Sequence, residues 1–118
     1  MKEQQMFKLP EKEQKVFDIV KVHLLTQNKR SAVNGDCRYR STVDGKELKC
    51  AAGFLIPEEF YSKDLEGRSW YRLVKESNFP SEHFDLICEL QSLHDYLSPE
   101  CWEEQLIKIA DTFKLKYY

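Results

Sequence analysis

"NGDCRYRSTVDGKELKCAAGFLIPEE", residues 34–59, is the stretch on which the fold turns. It holds two of the chain's 4 cysteines and four basic residues, and it interrupts a pattern that is otherwise helical. Cys37 to Ser41 alternates in the manner of a strand. Asp44-Gly45 is a strong two-residue hairpin signal, because the tight turn that matches strand twist needs positive φ at both central positions. Pairing Val43 with Lys46 sets Tyr39 opposite Cys50 and Cys37 opposite Ala52. One face then carries Cys37, Tyr39, Leu48, Cys50 and Ala52; the other carries Arg38, Arg40 and Lys49. One side reads as buried and the other as wet. The reading is one antiparallel hairpin near residues 37–52. "KELKCAAGFL" also contains good helix formers, so a second reading ends the strand near Cys50 and begins a helix there. The distinction matters because a cysteine at a helix start ionises more readily.

Outward from the hairpin the pattern is helical. Before it, Pro10 suits a first helical position, with Glu11 and Glu13 near the positive helix end. Val16, Phe17, Val20, His23, Leu24 and Gln27 recur at helical spacing, which predicts a helix over about 10–28. After it, Pro57 opens a short helix, and Gly67 precedes a turn or two around Trp70, Leu73 and Val74. Pro80-Ser81-Glu82 opens a longer helix with a stripe of Leu86, Leu90, Leu93 and Leu97. Ser98 is read as an N-cap of a last helix, with Trp102, Leu106, Ile109 and Phe113 as its stripe. These two helices form an antiparallel pair with a short loop. The fold class is therefore α+β and mostly helical, with four or five helices and one β-hairpin.

The 118 residues suit a single domain over 1–118, with residues 1–9 expected to be loose. A hydrophobic content of 42% and an aromatic content of 13% provide a core, which excludes global disorder. The formal charge of -2 argues against a nucleic-acid binder that works by bulk charge. No run approaches the length of a membrane span, and the polar start lacks the apolar centre of a signal peptide. A cytoplasmic protein with reduced thiols is expected.

Cys88 and Cys101 are offset by roughly 10 Å along neighbouring helices, too far for a disulfide. Cys37 and Cys50 are diagonal on the expected hairpin. A zinc site announces itself by close ligand pairs such as C-x-x-C, and none is present, so no metal and no cofactor is expected. If the chain is an enzyme, Cys50 is the nucleophile and His94 its base. Adjacent helical positions project about 100° apart, so Gln91, one turn earlier, is expected to orient His94 in preference to Asp95. Arg38, Arg40 and Lys49, joined by Arg72, are the candidate binding patch for an acidic protein surface, a phosphate or a nucleic-acid backbone.

The pieces "FDIVKVHLLTQNKRS", "CRYR", "DGKELKCAAGFLIPEEFY", "LEG" at 65–67 and "LQSLHD" at 90–95 resemble a family of small, uncharacterised bacterial and phage proteins. Members of that family often carry a further cysteine where Phe54 stands and a Gly-Pro pair near Ser41-Thr42, so a chemistry needing that thiol is lost here. The resemblance supplies no activity. Its association with phages and their hosts implies an accessory role: a phage- or prophage-encoded regulator or inhibitor that binds a host protein. Three function classes therefore stand. The leading one is a cytoplasmic protein-interaction module, monomeric or homodimeric, with another protein as partner. The others are a small cysteine-dependent enzyme and a nucleic-acid accessory protein using the basic hairpin face.

Overall fold

A computed structural model describes residues 6–118. Five α-helices and two small antiparallel hairpins make up the regular structure of these residues, an α+β fold that is mostly helical. Within the segment expected to be loose, Phe7 is buried against Phe60 and Phe79, and the Met6 N–H donates to Asn78 O at 3.1 Å. Residues 1–5 lie outside the described residues.

Helix α1 spans Glu13–Gln27, three residues later than the Pro10 signal, and ends where Asn28 turns left-handed at φ 51°. Asn tolerates that region because its short polar side chain bonds locally. Two hairpins follow, where the sequence pattern had suggested one. Strands β1 (Ala32–Val33) and β2 (Asp36–Cys37) close around Asn34-Gly35, and β3 (Arg40–Val43) and β4 (Lys46–Lys49) around Asp44-Gly45. Both turns have positive φ at each central residue: 52° and 85° in the first, 51° and 77° in the second. The β3–β4 register pairs Val43 with Lys46 and Arg40 with Lys49, as the hydrophobic alternation requires. Cys37, however, pairs with Ala32 in the first hairpin and not with Ala52.

The β4 strand stops at Lys49 because helix α2, Ala51–Leu55, begins immediately. The Cys50 N–H still donates to Tyr39 O at 3.2 Å, the last rung of the hairpin. Its Sγ then accepts the Gly53 N–H at 3.2 Å and caps the new helix. The helical reading of "CAAGFL" thus holds and the strand pattern ends at Lys49. Gly53 is required for proximity: a Cβ there would lie 2.1 Å from Tyr39 O and 2.8 Å from Tyr39 C. Only a hydrogen at this position lets α2 rest on the hairpin backbone.

The remaining chain makes two 3₁₀ turns (Glu58–Phe60 and Lys63–Leu65), α3 (Trp70–Glu76), α4 (Phe84–Tyr96) and, after a third 3₁₀ turn at Pro99–Cys101, α5 (Trp102–Thr112). Ser69 caps α3 by accepting the Arg72 N–H. Helix α4 starts four residues beyond Pro80, behind His83 at φ 59°. Ser98 makes no side-chain cap; instead Trp102 Nε1 donates to Leu97 O at 3.0 Å and closes the short connection. Val16, Phe17, Val20 and Leu24 of α1 meet Leu86, Ile87 and Leu90 of α4 and Trp102, Leu106 and Ile109 of α5 in one core. Each such side chain contributes about 1.5–3 kcal/mol on burial. Helix α2 wedges between α1 and α4. No helix among the described residues is long and apolar enough to cross a membrane.

Candidate functional site

The pieces "CRYR", "LEG" and "LQSLHD" lie far apart in sequence and meet in space. Glu66 is the knot. Its Oε1 accepts the Tyr39 N–H at 2.8 Å, and its Oε2 accepts the Arg40 N–H at 3.1 Å and the Tyr61 hydroxyl at 2.7 Å. One carboxylate thereby satisfies two backbone donors between the hairpins, where no strand partner supplies a carbonyl. The Arg40 guanidinium lies 4.5 Å over the Tyr61 ring and donates to Ile56 O at 3.2 Å. Burial, and then the bond to Glu66, pushes the Tyr61 phenol up to about 12.

A second network centres on α4. Gln91 Oε1 accepts the Ala52 N–H at 2.9 Å, and its Nε2 donates to Asp95 Oδ1 at 3.0 Å. Asp95 Oδ1 also lies 2.8 Å from His94 Nδ1. The Ser31 N–H donates to His94 Nε2 at 2.9 Å. A backbone N–H can only donate, so Nε2 is the acceptor and the ring proton sits on Nδ1, facing Asp95. This corrects the expected role of Gln91: Asp95 orients His94, and Gln91 orients Asp95. Side chains at i and i+1 do diverge, but Nδ1 is the ring nitrogen nearest the backbone and lies within reach of a short neighbouring carboxylate.

The structure does not assemble the Cys50–His94 pair. Cys50 is fully buried, its thiol is spent on the α2 cap, and burial pushes it up to about 12. Both His94 nitrogens are engaged elsewhere. Cys37 is the thiol that approaches His94: Cys37 Sγ, a His94 nitrogen and an Asp95 oxygen lie within 4.8 Å of one another. The sequence reading missed that grouping because it placed Cys37 in the wrong hairpin. The donor set does not fit a metal, since the Ser31 N–H holds the Nε2 lone pair and Nδ1 carries a proton. The Cys37 thiol is also held up, by burial and then by the Asp95 carboxylate.

The four residues of the expected basic patch divide. Arg38 and Arg40 line one groove with Val33, Tyr61 and Lys63. Lys49 lies on β4 with its ammonium 3.7 Å from Glu47, and Gln27 holds its backbone N–H and C=O. Arg72 sits on α3 in a two-pronged bond to Glu76 at 3.1 and 3.2 Å.

A trough of about 960 Å³ lies between α1 and the β3–β4 hairpin. Ile19, Val22, Leu48 and Phe54 form its apolar surface, and Lys15, Lys29 and Lys46 flank it with Asp18 and Glu47. Val22 is 59% exposed and Phe54 38%. His23 stacks on Phe54 at 4.2 Å and donates from Nε2 to Lys49 O at 2.9 Å. No protein-family model, curated protein or solved structure matches this chain.

Proposed function

We propose that this chain is a cytoplasmic protein-interaction module, a regulator or inhibitor that works by covering part of another protein and performs no chemistry. The trough carries the reading. Helix α1 has two faces: Val16, Val20 and Leu24 go into the core, while Ile19, Val22 and His23 are presented to the trough. Apolar groups at the centre and charges at the margin are the anatomy of a protein contact surface. Helix α1 gives the trough a length of roughly 22 Å, enough for an amphipathic helix of about four turns. Three rim lysines outnumber two carboxylates, so the occupant that fits is a partner helix whose apolar stripe is flanked by acidic residues. The sealed Cys50 and the engaged His94 nitrogens take away the support that the Cys50–His94 pair would have given the enzyme reading.

The test compares the wild type with Val22→Glu and with Arg72→Ala as a surface control. Complexes are isolated from bacterial cells and weighed by native mass spectrometry. A companion of defined mass should accompany the wild type and Arg72→Ala and be lost with Val22→Glu. Zero-length cross-linking should then join Lys15 or Lys46 to acidic residues of the companion. A companion retained by Val22→Glu would overturn the reading. So would a homodimer of the pure protein that Val22→Glu dissociates, because a second copy would then occupy the trough.

A further inference from the structure

We propose that a second cleft, away from the trough, binds a small organic oxyanion with a flat apolar body, an aromatic carboxylate or aryl phosphate in chemical class. The cleft encloses about 390 Å³ between the Cys37–Tyr39 segment, the turn at Gly67 and helices α3 and α4. That volume is within the range of small-molecule sites.

Three donors in its walls have no acceptor. The side chains of Arg38 and Arg68, both half-buried, make no hydrogen bond or ion pair among the described residues. Trp70 is 3% exposed, and its Nε1 has no partner among those residues. Of the three, Trp70 Nε1 is the buried one, and a buried donor left without an acceptor is costly and calls for a partner such as a bound group; the two guanidiniums are half open to water and available to a ligand. The wall carboxylates do not answer these donors. Glu66 already accepts three hydrogen bonds, and Asp95 Oδ1 accepts from Gln91 and His94. Neither carboxylate hydrogen-bonds or ion-pairs with Arg38 or Arg68, so both guanidiniums keep their N–H donors for a ligand. A guanidinium grips a planar or tetrahedral oxyanion through paired N–H donors, and two of them select an anion over a neutral ligand. At the mouth, Tyr71 and Tyr96 are 55% and 83% exposed, which places aromatic faces where a flat ligand body would rest.

The probes are benzoate, phenyl phosphate and neutral phenol, titrated into the purified chain with tryptophan fluorescence and calorimetry as readouts. Trp70 stands in the cleft wall and Trp102 is in the core, so Trp70→Phe identifies the responding ring. Either benzoate or phenyl phosphate, whichever distinguishes carboxylate from phosphate, should bind with a defined stoichiometry, and phenol should not. Arg38→Ala and Arg68→Ala should each weaken that binding about tenfold or more, and Trp70→Phe about fivefold. Val22→Glu, in the trough, should leave it unchanged, which separates this inference from the interaction reading. Circular dichroism melts establish that each variant is folded. Three results would overturn the proposal: equal binding of phenol, binding indifferent to both arginine substitutions, or no binding of either anion up to millimolar concentration.

Discussion

Gly53→Ala sets two magnitudes against each other. Gly53 lies inside α2 with ordinary helical backbone, so propensity alone favours alanine by about 1 kcal/mol. The added methyl, however, would lie 2.1 Å from Tyr39 O and 3.0 Å from Tyr39 Cα. The obstacle is backbone and cannot rotate away. Ordinary contact begins near 3.4 Å, so α2 and the hairpin must separate by about 1.3 Å. That separation stretches the Cys50–Tyr39 bond and disturbs the geometry of the Ala52–Gln91 bond to α4. Overpacking costs about 1–3 kcal/mol, and loosening two buried hydrogen bonds adds about 1 kcal/mol each. After the propensity gain, a net loss of about 2–4 kcal/mol is expected, which lowers the Tm by about 8–16 °C in a domain of this size. Urea unfolding followed by circular dichroism measures it. Gly35→Ala is the control: at φ 85° with nothing within 4 Å, it should lose only the roughly 1–2 kcal/mol of left-handed backbone. If Gly53→Ala is neutral or stabilising, the close approach of α2 to Tyr39 is wrong.

Glu66→Ala should cost about 2–4 kcal/mol by urea denaturation, because it leaves the Tyr39 and Arg40 amides and the Tyr61 hydroxyl without their acceptor. Trp70→Phe should cost no more than about 1–2 kcal/mol in the same assay, because losing an N–H that had no partner offsets part of the lost packing on Phe79. His23 is held below its ordinary 6.5, chiefly by burial, so the unfolded chain binds more protons as the pH falls. Its contribution is complete above pH 6.5 and is lost as the pH drops towards the folded value. The stability of wild type minus His23→Gln should therefore decline as the pH falls below about 6.5. Mass-resolved alkylation of the native protein should modify exposed Cys101 first, Cys37 and Cys88 more slowly, and Cys50 only on unfolding.

The helical framework was legible because Leu86, Leu90 and Leu93, and Trp102, Leu106 and Ile109, repeat at the helical period and are buried. Asp44-Gly45 fixed the β3–β4 register through its turn geometry. Asn34-Gly35 is the same kind of signal, and it, not Asp44-Gly45, sets the pairing of Cys37. The handover at Cys50 was visible only as two competing propensities, and tertiary packing on Tyr39 decides between them. The Glu66 knot left no periodic trace, because a carboxylate that bonds amides more than 20 residues away obeys no local rule. The trough was hidden for a different reason: Ile19 and Val22 sit at helical spacing beside core positions, and periodicity does not say which apolar stripe is covered.

The hairpin region hangs its amides on side chains. Ser31, Tyr39, Arg40, Lys49 and Ala52 donate to His94, Glu66, Glu66 again, Gln27 and Gln91. Where an amide bonds a backbone carbonyl of its own helix or sheet, its protection from solvent exchange belongs to the backbone and survives most substitutions. Here the protection is encoded in the sequence one residue at a time. In deuterium exchange these five amides should slow as firmly as core helix, yet each should be released by a single distant substitution: Ala52 by Gln91→Ala, Tyr39 with Arg40 by Glu66→Ala. The hairpin region and the start of α2 thus owe part of their rigidity to four removable side chains, and each can be unlatched separately to learn what its stillness is for.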